Sequence, residues 1–193
     1  ISEEISRRVN QRAGELEREK LAISEGLRRY GCDSLEALGE KLARRGHGLV
    51  FGGGAQGLMG AAARGVSSRN GYILGVAPSF FNVDGVLYPH CTEFIYTETM
   101  RQRKQIMEDH ADAFIVVPGG IGTFEEFFEI LTLKQLCRHN KPIGLYNIRG
   151  YYDDLNRMMA TAMEKNFVRD NCSELYFITD DPQELLGYIE TPT

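Results

Sequence analysis

The sequence predicts an α/β fold: a doubly wound, Rossmann-like parallel sheet with helices on both faces, in a single domain preceded by an N-terminal helix. Six short apolar runs alternate with segments of helical pattern along most of the chain. The runs are apolar throughout rather than alternately polar, which is typical of parallel strands covered on both faces. The length of 193 residues suits one domain of this kind.

The first predicted element is a charged amphipathic helix over residues 3–29, which we assign to an N-terminal segment, residues 1–30. Its apolar residues recur at spacings of four and seven and form a single narrow stripe. The stripe fits a solvated helix packed on the body of the protein, and a partner-binding helix is the alternative. The main domain is predicted to occupy residues 31–193.

A second helix opens this domain, with Ser34 as its predicted N-cap and three leucines on its buried face. Two later helices are predicted over residues 97–110 and 124–139. The predicted strands are GLVF (48–51), YILGVAP (72–78), EFIY (93–96), AFIVVP (113–118), PIGLYN (142–147) and LYFIT (175–179). Sheets of this class bind ligands at the carboxyl ends of their strands, where the two glycine-rich stretches of the chain fall.

Composition and charge argue against several classes of function. The formal net charge is −5 and the isoelectric point is about 5.5, whereas nucleic-acid-binding proteins usually need a basic face. No apolar run approaches the roughly 18 residues of a membrane span. The four cysteines and four histidines are scattered without the spacing of a metal site. We therefore expect a cytoplasmic protein with no metal, no nucleic-acid partner and no membrane partner.

The first glycine-rich stretch, FGGGAQGLMG (51–60), follows a predicted strand and opens a helix. Its glycines fit G-x-G-x-x-G, but a dinucleotide site also needs an acid at the end of the next strand. That strand ends in Ala77 and Pro78, so the dinucleotide interpretation fails. What remains is a turn, containing Gly53 and Gly54, at which backbone N–H groups can approach an anion closely.

The second stretch, PGGIGT (118–123), repeats this device two strands later. It lacks the lysine of G-x-x-x-x-G-K-[ST], which disfavours nucleoside triphosphate hydrolysis. One such loop alone would fit a tight turn needed only for packing. Two in one small sheet favour a cleft for a monophosphate or a mononucleotide.

Two adjacent carboxylates, Glu125 and Glu126, follow the second loop. One interpretation is a capping box, with Thr123 at the N-cap and Glu126 at N3, that satisfies helix N–H groups. A capping box needs only one acid, however. Because a carboxylate is repelled by a bound phosphate, it is better placed to meet a sugar attached to that phosphate.

The helix predicted over residues 97–110 has basic residues near its N-terminus and acidic residues near its C-terminus, the order that the helix dipole disfavours. A solvated charged face leaves this inversion unexplained. We infer that a cation on this helix is aimed at an anionic ligand. Arg103 is the candidate, because it shares a face with Met100, Lys104 and Met107 and is therefore expected to point inward.

Two motifs in this order resemble the LOG family, whose members are cytokinin riboside 5′-monophosphate phosphoribohydrolases, many of them first labelled as lysine decarboxylases. The first motif is M-x-x-R-K, here MRQRK (100–104). The second is P-G-G-x-G-T-x-x-E, here PGGIGTFEE (118–126). The similarity extends over residues 35–168 and includes GGGAQGLMG and NKPIGLYNIRGYYD.

The resemblance implies hydrolysis of the N-glycosidic bond of a nucleoside 5′-monophosphate, either AMP or an N6-modified AMP, to a free base and ribose 5-phosphate. Arg103 and Glu126 match the family's catalytic pair. The implied substrate-binding positions are Gly53, Gly54, Met100, Lys104, Pro118, Gly119, Gly120, Gly122, Thr123 and Glu125. No cofactor is expected, since no lysine lies in a context typical of the Schiff-base lysine that a pyridoxal-phosphate decarboxylase needs.

The helix over residues 124–139 is apolar on more than one side, and together with the resemblance this predicts a homodimer. The alternative function is a nucleotide or cofactor carrier of the same fold that binds without cleaving. The presence of both Arg103 and Glu126 argues against it. The chain departs from the family by carrying Arg101 where members usually have His, and by lacking an opening strand and C-G-S-type turn before the helix near Ser34.

Overall fold

The computed structural model describes residues 31–191, together with Arg12 and Glu15. These two residues are helical and form an ion pair, with 3.4 Å between Nη1 and Oε2. The rest of the helix predicted over residues 3–29 lies outside the described residues. The domain boundary at residue 30 therefore stays a prediction.

Helices and strands alternate along most of residues 31–191, as the sequence predicts; the exception is residues 79–92, where a short 3-10 turn and a loop join two consecutive strands. The helices are α1 (Cys32–Arg44), α2 (Gly57–Ser67), α3 (Met100–His110), α4 (Ile121–Gln135), α5 (Asp153–Glu164) and α6 (Pro182–Ile189). The strands are β1 (Leu49–Phe51), β2 (Ile73–Pro78), β3 (Glu93–Thr97), β4 (Phe114–Val116), β5 (Ile143–Tyr146) and β6 (Phe177–Thr179). All six predicted strands are confirmed, with ends that differ by no more than two residues.

All the strand pairs are parallel, which confirms the predicted fold class. The hydrogen-bonded ladders form two three-stranded sheets, ordered β1-β2-β3 and β4-β5-β6. The middle strands β2 and β5 are buried along their whole length, whereas β1 and β4 are only partly buried. The sequence patterns indicate the strands but not this division between the ladders.

A shared apolar core joins the two sheets. Leu35, Leu38 and Leu42 on α1 pack in one cluster with Leu185 and Leu186 on α6. The same cluster includes side chains from α2, β4 and β5. Ala43 of α1 also packs against a second cluster that includes Phe51 of β1 and Ile73 of β2, so α1 contacts side chains of both sheets.

The N-caps of two helices differ from the predictions. Helix α1 begins at Cys32 after Gly31, which has a left-handed φ of 91°, so Ser34 lies inside the helix and is not its cap. Helix α4 begins at Ile121 with Gly120 at the N-cap, so the predicted capping box of Thr123 and Glu126 is wrong. The physical reason in α4 is that the Gly120 carbonyl accepts the N–H groups of both Thr123 and Phe124, which starts the helix earlier.

Helix α3 begins three residues later than predicted, since Thr97 is the last residue of β3. Its start is fixed by a capping box. The Thr99 side chain accepts the Gln102 N–H, and the Gln102 side chain accepts the Thr99 N–H. This box sets the position of Arg103, which follows immediately.

Candidate active site

The centre of the candidate site is an ion pair between two helices. Arg103 on α3 donates from Nη1 to Oε1 of Glu126 on α4, at 2.5 Å. Arg103 is only 7% exposed, which confirms that it points inward, whereas the Glu126 side chain is 37% exposed. A buried guanidinium thus holds a carboxylate that keeps one side open to solvent.

The first glycine turn makes room for this guanidinium. A Cβ atom at position 52 would lie 2.0 Å from Nη2 of Arg103, so only glycine leaves the space that the side chain occupies. In the sequence, Gly52 belongs to the G-x-G-x-x-G pattern, which gives no indication of this role. The signal was available in the run of three glycines, but the pattern does not name the side chain that would need the space.

Gly53 and Gly54 bring the same turn against the loop that precedes β3. Gly53 has a φ of 77°, and a Cβ there would lie 2.7 Å from the Phe94 ring. The Gly53 carbonyl accepts the Tyr88 N–H at 2.8 Å, and Gly54 forms an antiparallel bridge with Leu87. Through these contacts the turn and the loop before β3 pack together and form one wall of the candidate site.

A hollow of about 320 Å³ lies on the other side of this wall. It is lined by residues of the 82–91 loop and by Phe94 and Tyr96 of β3. Tyr96 and Met100, where β3 ends and α3 begins, are about half exposed. These two exposed side chains form an apolar rim at the start of the helix that carries Arg103.

Lys104 lies beside Arg103 and pairs with acids of α4. Its Nζ donates to Oε1 of Glu125 and to Oε2 of Glu129, the latter at 2.6 Å. The bonds to Glu125 and then to Glu129 raise the pKa of Lys104 above its ordinary value. Lys104 and Glu125 were both predicted to contact substrate, and in this structure they bind each other.

The second glycine turn presents its backbone at the start of α4. Within residues 31–191, the N–H groups of Gly119 and Gly120 have no hydrogen-bond acceptor. A Cβ on Gly119 would lie 2.1 Å from Oγ1 of Thr123, so glycine is required for that approach. Added Cβ atoms at Gly120 and Gly122 would meet nothing within 4 Å. The predicted anion turn is thus open on one side.

Two tyrosines hold the other side of this turn. Tyr151 Oη donates to the Gly119 carbonyl, and Tyr152 Oη donates to the Val117 carbonyl, each at 2.5 Å. Burial raises the pKa of Tyr152 well above its ordinary value, so this hydroxyl remains a donor. Both residues fall in the GYYD stretch, to which the sequence analysis gave no role.

No three His, Cys, Asp or Glu side chains come together as a metal site within the part of the chain that the structure describes. None of the described helices is long and apolar enough to span a membrane.

Comparison with known proteins places these motifs in a family. The family model described as "Possible lysine decarboxylase" matches residues 59–189, more than half of the chain. The chain belongs to this family, the LOG family. A rice protein, "Probable cytokinin riboside 5′-monophosphate phosphoribohydrolase LOG4" of Oryza sativa subsp. japonica, is 40% identical over 149 residues, which are 77% of this chain. The chain spans 65% of that protein's length.

A second LOG relative is "Cytokinin riboside 5′-monophosphate phosphoribohydrolase LOG2" of Arabidopsis thaliana, 37% identical over 82% of this chain and 74% of its own length. Among solved structures, the molybdenum cofactor binding protein of Rippkaea orientalis superposes with a TM-score of 0.61. That alignment covers 83% of this chain and 88% of the other, at 24% identity. At that identity, the likeness supports the Rossmann-like fold alone.

Proposed function

We propose that this chain hydrolyses the N-glycosidic bond of a nucleoside 5′-monophosphate, AMP or an N6-modified AMP, and releases a free base and ribose 5-phosphate. The printed names of its LOG relatives, which are cytokinin riboside 5′-monophosphate phosphoribohydrolases, support this reaction. The observation that carries the proposal is the bond between Arg103 and Glu126. Glu126 belongs to α4, the helix that begins at the open glycine turn.

The glycine turn would bind the 5′-phosphate. Its N–H groups at Gly119 and Gly120 have no protein acceptor within residues 31–191, and they lie at the positive end of the α4 dipole. At 1.5 Å rise per residue, Glu126 is about 9 Å further along the helix axis than Gly120. This separation leaves room for a ribose between the phosphate and the carboxylate.

Glu126 would act on the sugar. Cleavage of the glycosidic bond develops positive charge on the ribose ring, which a fixed carboxylate stabilises. A water molecule then adds its hydroxyl to C1′ of the ribose, and its proton ends on the nitrogen of the leaving base. The partial exposure of Glu126 allows the carboxylate to meet both the ring and this water.

Arg103 would act by charge rather than by proton transfer, because a guanidinium is not deprotonated in proteins. Its bond to Glu126 fixes the carboxylate, and its positive charge would offset the phosphate or the charge that develops on the leaving base. Met100 and the apolar rim would contact the base.

Base release tests the reaction directly. The protein is incubated with AMP and with N6-isopentenyl-AMP, and free base is measured by chromatography. We expect release with the wild type, a loss of at least about 100-fold with Glu126→Gln, and near-normal release with Glu108→Gln, which removes an acid from the far end of α3. Tight binding of either nucleotide without release would identify a carrier instead.

The dimer, the compartment and the absence of a nucleic-acid partner are also proposals. Ile121 of α4 and Leu136 at its C-cap are 87% and 62% exposed, although Phe127 and Leu131 of the same helix are buried. This exposure supports a second copy of the chain packed on α4. Free thiols at Cys91, Cys137 and Cys172 support a cytoplasmic location. Light scattering at micromolar concentrations tests the dimer, and a monomer would overturn it.

A further inference from the structure

Two consecutive tyrosines make the same kind of bond to the turn before α4. Tyr151 donates its hydroxyl proton to the Gly119 carbonyl, and Tyr152 donates to the Val117 carbonyl. The two accepting residues are separated only by Pro118. Each tyrosine therefore fixes the orientation of one peptide plane in the turn.

The two fixed planes differ in what they carry on the opposite edge. In a trans peptide, the carbonyl of one residue and the N–H of the next point in opposite directions. No described peptide bond is cis. The plane held by Tyr151 carries the Gly120 N–H on its far edge. The plane held by Tyr152 ends in Pro118, which has no N–H.

The Tyr151 ring is itself held in place. It stacks on Phe124 of α4, with ring planes 8° apart, and it meets the Tyr152 ring edge-on at 5.0 Å between centroids. The Tyr152 N–H donates to Oδ1 of Asn147 at 2.7 Å. The Tyr151 ring is thus anchored to α4, and the neighbouring residue Tyr152 is anchored to the end of β5.

We propose that Tyr151 is a positioning residue that aims the Gly120 N–H at the phosphate of the substrate. It acts through the peptide plane and does not touch the nucleotide. The proposal rests on the proposed function, in which the open edge of this turn receives the 5′-phosphate. Tyr152 anchors the same segment but orients no donor, so it serves as the matched comparison.

Tyr151→Phe and Tyr152→Phe each remove one hydroxyl from neighbouring residues of one segment. The first measurement is the dissociation constant of ribose 5-phosphate by calorimetry. We expect about a tenfold rise for Tyr151→Phe, the size of one weakened hydrogen bond to a charged group, and no more than about a twofold rise for Tyr152→Phe. The KM for AMP should rise by the same factor in Tyr151→Phe with kcat within about twofold, since phosphate contacts bind ground and transition states alike.

A second pair of variants tests the donor itself. Gly120→Pro removes the N–H and puts a ring carbon in its place, at a residue whose φ of −87° is near the proline range and where an added Cβ meets nothing within 4 Å. Gly120→Ala keeps the N–H and measures the effect of the added carbon. We expect Gly120→Pro to weaken ribose 5-phosphate binding beyond Gly120→Ala, and Tyr151→Phe to cause no further loss when combined with Gly120→Pro.

Equal losses in Tyr151→Phe and Tyr152→Phe would show general loosening of the turn and overturn the proposal. Wild-type affinity in Tyr151→Phe, or full additivity with Gly120→Pro, would overturn it as well. If the wild type hydrolyses AMP but Tyr151→Phe behaves normally, only this inference fails. If the wild type binds neither ribose 5-phosphate nor AMP, the proposed function fails with it.

Discussion

A single methyl group at position 52 should disable the candidate site without altering either member of its ion pair. Gly52 is not among the glycines with a positive φ, so alanine can adopt its backbone conformation without strain. The Cβ of Gly52→Ala would lie 2.0 Å from Nη2 of Arg103 and 3.0 Å from Cζ. The atom it meets is the far end of a flexible side chain, so the guanidinium moves and the fold is retained.

The size of the movement sets the expected loss. Nη2 must retreat from 2.0 Å to the 3.4 Å at which ordinary contact begins, a shift of about 1.4 Å. The guanidinium is planar and rigid, so Nη1 moves with it and loses its 2.5 Å bond to Glu126. Since a misplacement of about 1 Å can cost about 100-fold in rate, kcat/KM for AMP should fall about 100-fold, or about 2.7 kcal/mol in transition-state free energy.

The assay is release of adenine from AMP, with thermal unfolding measured in parallel. The control is Gly187→Ala in α6, where an added Cβ, unlike the one at position 52, meets nothing within 4 Å and which is remote from Arg103 in the chain. The control should keep wild-type activity, and both variants should unfold within a few degrees of the wild type. Wild-type turnover in Gly52→Ala would show that the observed position of Arg103 is not the one used in catalysis.

Two further variants test the supports of the pair. Lys104→Met removes the bonds to Glu125 and Glu129. These bonds raise the pKa of Lys104 above its ordinary value of 10.5. The stabilisation that they give the folded protein is therefore complete below pH 10.5 and is lost as the pH rises further. The wild type should therefore be more stable than Lys104→Met in urea at pH 8, with the difference shrinking at pH 11; an equal difference at both values would contradict the assignment. Thr99→Ala removes the capping box of α3 and should lower the free energy of unfolding by about 1 kcal/mol in urea melts, whereas an unchanged melt would show that the cap does not fix the helix start.

The strands were predictable because a strand covered on both faces has a simple signature. Runs such as ILGVAP in β2 are apolar at every position, and the burial of β2 is complete. The division into two ladders was not predictable, since periodicity reports burial and not which strands lie side by side. Pairing depends on contacts between residues far apart in the chain, such as Val116 with Leu145.

The candidate site was predictable in its charged residues and not in its supports. Arg103 was found because cations near a helix N-terminus oppose the dipole, an arrangement that needs a compensating partner. The roles of three residues were missed. Gly52 leaves space for the Arg103 side chain, and Tyr151 and Tyr152 hold backbone carbonyls in place. The local sequence shows at most that space is needed, as in the run of three glycines, and never which side chain or carbonyl is the partner.

The start of α4 shows how one shift in helix register decides what a carboxylate can do. With Thr123 at the N-cap, Glu126 would be the third helical residue, and its side chain would turn back to the backbone as a capping partner. Because Gly120 is the N-cap instead, Glu126 is the sixth residue of α4, beyond the first turn and out of reach of the cap. The two glycines that flank Ile121 thus do more than expose N–H groups to an anion. By starting the helix before Thr123, they leave the Glu126 carboxylate available to Arg103, and so the same turn would serve both the proposed anion site and the acid that the proposed hydrolysis requires.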